Sequence, residues 1–243
     1  MICMLEIDYD VLDRLVNLPG KIVDEVKWEL VDDGLRIRVV DPSHVAMADI
    51  FLDEGAFEEY EPDVEKIGIN VNKFNKFLGV VDKDKTIKLE LGDTIVLKSG
   101  NIKQKMPSLD LESMAELSLP SLDLPSSIKM KGEKLKRGAK ASALVSDQIE
   151  MKVDNDGFMM SSEEDENSIK VNLDKEELEK HECGDIVSSI FALDYFSDMV
   201  SAFGKNEMVY LRLGIDYPFK LEFSWADELG KTVYLLAPRI EDA

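Results

Sequence analysis

The 243-residue sequence has few of the residues that build metal sites and disulfides. It contains two cysteines, Cys3 and Cys183, and two histidines, His44 and His181. The absence of a Cys-x-x-Cys motif and of a histidine pair at helical spacing excludes a zinc site of ordinary ligand spacing. A disulfide framework is not expected either, so a reducing cytosol is the natural compartment. We therefore predict no metal and no other cofactor.

Long apolar runs and phosphate-binding loops are missing as well. No apolar run approaches the roughly 20 residues that span a bilayer, so we expect no transmembrane helix and no membrane partner. Residues 1–6 lack a basic region and a long apolar stretch, which argues against a signal peptide. The sequence has no glycine-rich loop of the Walker or Rossmann type, and His44 has no placed nucleophile beside it. Nothing in the sequence therefore favours an enzyme.

Basic residues are scarce relative to acidic ones. The chain has 29 Lys and Arg residues against 50 Asp and Glu residues, which gives a formal net charge of −21. Domains that hold DNA by charge usually have a pI above about 9, so this balance argues against tight DNA binding of that kind. Hydrophobic residues make up 44% of the chain, which is enough for sizeable cores and argues against disorder.

The sequence does contain an internal repeat. Asp33-Gly34 matches Asp156-Gly157 at an offset of 123 residues, and several apolar positions nearby match at the same offset. Further along the offset becomes 122, as from Phe74 to Phe196. We interpret the chain as two similar domains in tandem, covering residues 1–107 and 128–243, with a connector over residues 108–127.

The periodicity within each half predicts helices and strands in alternation. Helices are expected at roughly 8–20, 72–81, 133–145 and 194–203, because three of them carry apolar residues at i, i+3 and i+4. Alternating runs around turns such as Asp32-Asp33-Gly34 predict antiparallel hairpins with one solvated face. Helices on one face of antiparallel sheets give an α+β fold.

The connector is rich in proline and serine but also carries a row of leucines. Proline and serine favour an extended segment. We expect most of the leucines to pack against the two sheets, since an exposed apolar row risks aggregation. The alternative is that some of them line a groove for partners.

The basic residues cluster on the predicted helices. Lys136, Arg137 and Lys140 share one side of the third helix. Other cations lie on or beside the remaining helices: Arg14, Lys21, Lys73, Lys76 and Lys205. One interpretation is a solubilising surface. The other is four equivalent helices that present weak positive charge to a polyanion.

Two motifs resemble a known family. The segment 40–45, Val-Asp-Pro-Ser-His-Val, follows the Asp-Gly hairpin and resembles the Asp-x-Ser-His-Val segment of sliding clamps. The segment 234–241, Tyr-Leu-Leu-Ala-Pro-Arg-Ile-Glu, resembles their C-terminal ending, and segments 68–72 and 191–195 are also similar. The resemblance covers essentially the whole chain and is to the proliferating cell nuclear antigen family, with the compact length and Arg239 most similar to archaeal members.

The resemblance implies a DNA clamp fold without catalysis. Three identical chains would form a ring with sheets outside, and helices would line a hole around double-stranded DNA that is held by weak contacts. The implied partners are DNA polymerase, clamp loader, flap endonuclease and DNA ligase, which dock through short peptide motifs. The implied location is the nucleoid in the cytoplasm. On this view the eight helix-borne cations named above face DNA.

The resemblance also assigns residues to a partner pocket and to the subunit interface. The matching pocket positions are Val40, His44, Val45, Leu117, Leu119, Pro218, Leu235, Ala237 and Pro238. The matching interface positions, on two edge strands that pair between neighbouring chains, are Ile102, Gln104, Met106, Ser168, Ile169 and Val171. Two alternatives stay open: one subunit of a heterotrimeric clamp, and an acidic peptide-binding module that does not encircle DNA.

Overall fold

The computed structural model describes residues 3–112 and 114–239. Within these residues the helices are α1 (Tyr9–Asn17), α2 (Val71–Leu78), α3 (Gly132–Ser142) and α4 (Leu193–Ser201). Each lies inside or within one residue of its predicted range. Helix α1 ends earlier than predicted, because the chain passes through Leu18 into a 3-10 turn at Pro19–Lys21. None of the helices in the described ranges has the length and apolar character needed to cross a membrane.

The strands confirm the predicted hairpins. Those of the first half are β1 (Cys3–Asp8), β2 (Glu25–Val31), β3 (Gly34–Val40), β4 (Ala46–Asp53), β5 (Phe57–Glu61), β6 (Lys66–Asn70), β7 (Thr86–Leu91), β8 (Thr94–Ser99) and β9 (Ile102–Pro107). Those of the second half are β10 (Ser126–Lys131), β11 (Gln148–Val153), β12 (Gly157–Glu164), β13 (Asn167–Asp174), β14 (Lys180–Cys183), β15 (Val187–Ala192), β16 (Met208–Leu213), β17 (Phe219–Trp225) and β18 (Gly230–Leu236).

The chain divides into two compact units. Unit 1 consists of the residues up to Asp41 together with Ala48–Leu119 and Trp225–Thr232. It contains a sheet of order β5-β1-β7-β8-β9 and the antiparallel run β6-β2-β3. Helices α1 and α2 contact each other, and the Tyr9 hydroxyl donates to the Leu78 carbonyl at 3.2 Å. In the core the Trp28 and Phe74 rings meet edge to face with centroids 5.5 Å apart.

Unit 2 consists of Pro42–Met47, Pro120–Ser224 and the residues from Val233 onward. It contains a sheet of order β13-β12-β11-β15 and the run β14-β10-β16-β17. Helices α3 and α4 contact each other as α1 and α2 do in unit 1. The Phe191 and Phe219 rings lie 4.9 Å apart at the centre of the core, and both side chains are fully buried.

The internal repeat is visible in the packing of one glycine in each unit. Gly34 and Gly157 begin equivalent strands with φ of +147° and +157°. A Cβ at Gly34 would lie 2.2 Å from the Leu52 carbonyl oxygen, and a Cβ at Gly157 would lie 2.1 Å from that of Leu173. Both positions require glycine because a neighbouring backbone occupies the space of any side chain.

Candidate functional site

The basic residues of α3 do not all point the same way. Arg137 and Lys140 are exposed, whereas Lys136 is half-buried. The Lys136 ammonium lies 5.4 Å above the Phe203 ring and 3.5 Å from the carbonyl oxygen of Ser201, the last residue of α4. A cation at the carboxyl end of a helix is stabilised by the helix dipole. Lys136 therefore supports the α3–α4 packing, and Arg137 and Lys140 form the free cationic surface.

The other helix-borne cations are arranged just as unevenly. The Arg14 guanidinium lies 5.4 Å above the Trp225 ring and is half-buried within unit 1. Lys21 and Lys73 are half-buried, and Lys76 and Lys205 are exposed. The sequence placed all of them on or next to helices but could not distinguish a cation stacked on an aromatic ring from one directed at solvent.

Helix α3 approaches its sheet closely because it contains Gly138. A Cβ at this position would lie 2.2 Å from the Met160 sulfur. Glycine lowers helix propensity, but here it allows the helix to lie against β12 while Leu135 and Ala139 bury the same face. The exposed positions of α3 are Glu133 in its first turn and, further along, Arg137 and Lys140.

Within unit 2, segment 42–47 is bound to the C-terminal segment. The backbone N–H of Ala237 donates to the Val45 carbonyl at 2.8 Å. His44 is exposed and has a left-handed φ of +57°, an uncommon conformation that turns the chain sharply before Val45. Val45, Pro218, Ala237 and Pro238 are half-buried, and Leu235 is 5% exposed. The remaining predicted pocket residues lie in unit 1, where Val40, Leu117 and Leu119 are each half-buried.

The predicted interface strands are both sheet edges in the described structure. Strand β9 ends the five-stranded sheet of unit 1, and β13 ends the four-stranded sheet of unit 2. Ile102, Gln104, Ile169 and Val171 are half-buried, and Ser168 is exposed. Met106 differs from the others, because it is 5% exposed and pairs in register with Ile95. Its side chain therefore belongs to the core of unit 1, and only its backbone is left for an interface.

Comparisons with known proteins agree with this geometry. Residues 4–118 match the family described as proliferating cell nuclear antigen (PCNA), N-terminal domain, and residues 118–239 match the C-terminal domain of the same family. The chain belongs to the PCNA family. The tandem domains predicted from the internal repeat and the clamp fold implied by the motifs are thereby confirmed.

Two relatives and one solved structure cover nearly the full chain. The DNA polymerase sliding clamp of Methanosarcina mazei is 35% identical over 233 residues, which is 94% of this chain and 94% of the relative. That of Halobacterium salinarum is 35% identical over 238 residues, or 96% of each chain. The structure of A. fulgidus PCNA bound to the C-terminal region of FEN-1 is 28% identical, covers 100% of both chains and has a TM-score of 0.92.

The connector of this PCNA family member alternates between half-buried leucines and exposed residues. Leu109, Leu111, Leu117, Leu119, Leu122 and Leu124 are all half-buried, and most residues between them are exposed. The first attachment is a backbone bond from the Leu109 N–H to the Gly68 carbonyl at 2.9 Å. Gly68 is required there, since a Cβ would lie 2.7 Å from the Leu109 carbonyl oxygen. The expectation that the leucines pack against the protein fits this arrangement.

A second attachment consists of side chains, and we call it the connector clasp: Lys27, Arg38 and Lys66 with connector residues 115–117. The Lys27 ammonium contacts the Glu116 carboxylate at 3.0 Å and the Ala115 carbonyl at 3.3 Å. Lys66 contacts the same carboxylate at 2.7 Å. Arg38 donates to the Leu117 carbonyl at 3.3 Å.

The electrostatics of the clasp follow from these contacts. Hydrogen bonds from Lys66 and then Lys27 lower the pKa of Glu116 to about 2. Because the pKa is lowered, ionised Glu116 stabilises the clasp fully at pH values above the ordinary Glu pKa. This stabilisation is lost as the pH falls from there towards 2. The clasp therefore remains charged throughout the neutral and mildly acidic range.

The clasp could not be predicted from the sequence, because alternation along β2 predicts that Lys27 faces solvent. Lys27 does lie on the outer face of its sheet, but it is only 7% exposed because the connector covers it. The connector carries four acids, Asp110, Glu112, Glu116 and Asp123, and the only signal that distinguished Glu116 was its position beside the pocket residue Leu117. Nothing in the sequence indicated which lysine would meet it.

Proposed function

We propose that this chain is a DNA sliding clamp: three copies form a ring that encircles duplex DNA and tethers DNA polymerase and other replication and repair enzymes. The full-length match of both tandem domains to the PCNA family carries this proposal. Relatives named DNA polymerase sliding clamp that cover nearly all of the chain support it. The role is that of a tether in the nucleoid, and it involves no reaction catalysed by the chain itself.

The two sheet edges support a ring of identical subunits. Because β9 and β13 are different edges at different places in the chain, their pairing joins chains head to tail. Such contacts form a closed ring when the rotation between subunits closes, and open fibres when it does not. Lys103 and Lys105 on β9 and Lys170 on β13 are typical of edges protected against unwanted pairing.

The strong acidity of the chain is compatible with this role. Three chains carry three times −21, or −63, so electrostatics alone would repel DNA. A ring needs no tight phosphate contact, since it stays on DNA by encirclement. Exposed cations such as Arg137 and Lys140 then offset the repulsion locally without the strong binding that would slow sliding.

Partner docking is proposed for the pocket residues assigned by resemblance, with DNA polymerase, clamp loader, flap endonuclease and DNA ligase as partners. The A. fulgidus PCNA structure, which contains the C-terminal region of FEN-1, supports docking by short peptides in this family. In this chain the half-buried Leu117, Val45 and Pro238 keep part of their apolar surface accessible, as a peptide site requires.

The proposal is tested first by mass and then by function. Light scattering of the purified chain is expected to give about 82 kDa, three times 27.4 kDa, and clamp-loader-dependent synthesis on primed circular DNA is expected to become processive. A mass of 27.4 kDa at every salt concentration, with processivity only after other clamp subunits are added, would support the heterotrimer instead. Peptide binding without any effect on synthesis would support the acidic binding module.

Removing the α3 cations is expected to weaken function without opening the ring. Replacing Lys136, Arg137 and Lys140 together with alanine should shorten the products of processive synthesis. The slope of log affinity for DNA against log salt concentration should become shallower by about 0.9 for each phosphate that the chain no longer neutralises. Because Lys136 contacts α4, we expect Arg137→Ala with Lys140→Ala to account for most of the effect.

The control matched in charge to the Arg137→Ala, Lys140→Ala variant of α3 removes two exposed lysines elsewhere, with Lys175→Ala and Lys231→Ala. The mass should remain near three chains in every variant. Product lengths that do not differ between the α3 variant and this control would refute the role of these cations.

A further inference from the structure

The repeat allows the sheet face beneath the connector to be compared with its counterpart in unit 2. The strand registers define the equivalence, since Lys27 pairs with Gly68 as Glu150 pairs with Ile190. Glu29 likewise pairs with Lys66 as Lys152 pairs with Ser188. The positions equivalent to the clasp residues Lys27, Arg38 and Lys66 are therefore Glu150, Ser161 and Ser188.

The counterpart residues in unit 2 satisfy one another. The Ser161 hydroxyl donates to one Glu150 carboxylate oxygen at 2.9 Å, and the Ser188 hydroxyl donates to the other at 2.6 Å. The same sheet geometry is thus built with one acid and two hydroxyls. Three cations at these positions are not a requirement of the fold, so their presence in unit 1 calls for a separate reason.

The backbone hydrogen bond that attaches the connector in unit 1 has an equivalent in unit 2, whereas the side-chain clasp does not. In unit 1 the Leu109 N–H donates to Gly68, and in unit 2 the Arg239 N–H donates to the carbonyl of the equivalent residue, Ile190, at 2.7 Å. Each donor follows the last strand of its repeat. Among the described residues, the attachment at Lys27 occurs only in unit 1, where the connector continues over the sheet.

Acidic side chains of the sheet hold two cations of the clasp in place. The Lys27 ammonium also contacts the Glu29 carboxylate at 3.3 Å, and Arg38 lies 3.7 Å from Glu29 and 3.5 Å from Asp49. Glu29 and Asp49 are only 16% and 12% exposed, so this acid–base row is fixed by the sheet. It presents its donors to three consecutive connector residues, 115–117.

We propose that the clasp between Lys27 and Glu116 positions Leu117 for partner docking, so that this pair controls the affinity of the docking site without contacting the docked peptide. The proposal rests on the proposed function, which assigns Leu117 to the pocket. Glu116 is the residue immediately before Leu117, and Arg38 holds the Leu117 carbonyl itself. Fixing the backbone on both sides removes the entropy cost of ordering the connector when a peptide binds.

Lys66 makes the shorter contact with Glu116, but Lys27 is the partner that connects this carboxylate to the acid–base row of the sheet. The Lys66 side chain is 40% exposed, so water and salt screen its pair with Glu116. The Lys27 side chain is 7% exposed, and its ammonium contacts a connector carbonyl in addition to the carboxylate. The Glu116 side chain is 69% exposed, so only the lysine end of the pair is shielded, and there fewer water molecules compete for the ammonium.

The test uses Glu116→Gln in the full chain. This change removes the charge but leaves Lys27 paired with Glu29, so the unit is expected to fold normally. The control is Glu112→Gln, which makes the same change at an exposed residue of the same connector. Two measurements are made on each: amide hydrogen exchange of residues 114–119, and affinity for a synthetic, fluorescently labelled peptide of the FEN-1 C-terminal region.

Glu116→Gln is expected to speed connector exchange by about tenfold and raise the peptide Kd by about fivefold, with no change in melting temperature. High salt should weaken peptide binding to the unmodified chain and to Glu112→Gln. It should have a much smaller effect on Glu116→Gln, because the carboxylate charge at residue 116 is already absent there. Lys27→Met, which keeps most of the apolar stem, should reproduce both effects.

The outcomes separate the two proposals. Exchange and affinity that are unchanged in Glu116→Gln would overturn the clasp proposal while leaving the sliding clamp intact. Faster exchange with unchanged affinity would also overturn it, since the connector would then be held for a reason other than docking. If the unmodified chain does not bind the peptide, the docking part of the proposed function fails, and with it the positioning role of Lys27 and Glu116.

Discussion

A chain carrying Ile169→Asp is expected to lose the mass of three subunits, about 82 kDa, and to elute as single chains of 27.4 kDa. Ile169 lies on the edge strand β13 and is half-buried, so a carboxylate there would be enclosed when β9 of a neighbouring chain pairs with this edge. Burying an unpaired charge costs several kcal/mol, which is enough to break an interface of this kind. Ile102→Asp on β9 should have the same effect from the other side.

Mixing the two single variants gives a sharper test of the head-to-tail ring. The Ile169→Asp chain keeps an intact β9 edge, and the Ile102→Asp chain keeps an intact β13 edge. Together they can form one unaltered interface and no more, so the mixture should give a particle of two chains, about 55 kDa or twice 27.4 kDa. Neither variant should support processive synthesis.

The control introduces the same carboxylate away from both edges, at Leu144, whose side chain is 79% exposed. Leu144→Asp should keep the mass of three chains. If the mixture of edge variants remains at 27.4 kDa while both variants retain the circular dichroism of the unmodified chain, then β9 and β13 are not the paired edges.

Local periodicity was sufficient to predict the elements of this fold. The apolar stripe of Phe74, Phe77 and Leu78 predicted α2, and all three side chains are buried. The turn at Asp32-Asp33 predicted the β2–β3 hairpin, in which Val31 pairs with Gly34. These signals are local, since a helix face or a hairpin register is determined by residues close together in the chain.

Contacts between distant parts of the chain could not be predicted in the same way. Arg14 meets Trp225, Lys27 meets Glu116, and in each pair the partners are far apart in sequence. Periodicity assigns Lys27 to a sheet face but does not say what covers that face. Of the motif at 234–241, Ile240 and Glu241 lie outside the described residues.

Only one part of the candidate site followed from residues alone. The cationic face of α3 was visible in the sequence, and its exposed members, Arg137 and Lys140, were among the residues identified. The pocket and the interface came from family resemblance, since apolar residues such as Val45 and Ile169 have no chemical signature of their own. Met106 shows what resemblance leaves out: a matched interface position can have its side chain in the core of its own unit.

Gly157→Ala is expected to cause a large loss of stability for a single added methyl group. The new Cβ would lie 2.1 Å from the Leu173 carbonyl oxygen and 3.1 Å from the Cα of Asp174, both of them backbone atoms of the paired strand β13. A flexible side chain could move aside, but a strand cannot move without disturbing its ladder. We expect a loss of about 3 kcal/mol or more in the free energy of unfolding.

Alanine substitutions at other glycines distinguish the cost of the steric clash from the cost of backbone strain. Gly100 has a φ of +55°, and no atom lies within 4 Å of the place that an added methyl group would take, so Gly100→Ala should cost only the left-handed strain of about 1 kcal/mol. Gly92 has neither constraint, and Gly92→Ala should change stability by about 0.5 kcal/mol or less. Gly34→Ala, the equivalent of Gly157→Ala in unit 1, should be as severe, because its Cβ would lie 2.2 Å from the Leu52 carbonyl oxygen.

Thermal unfolding at one fixed protein concentration ranks the four variants, since the melting temperature of an oligomer depends on concentration. For a chain of this size about 1 kcal/mol corresponds to roughly 2–4 °C, so Gly157→Ala and Gly34→Ala should melt at least about 6 °C below the unmodified protein. Equal losses at Gly34 and Gly157 would mean that the two hairpins contribute alike to their units. If Gly157→Ala melted no lower than Gly92→Ala, the close approach of β12 to β13 would not limit which residue can occupy that position.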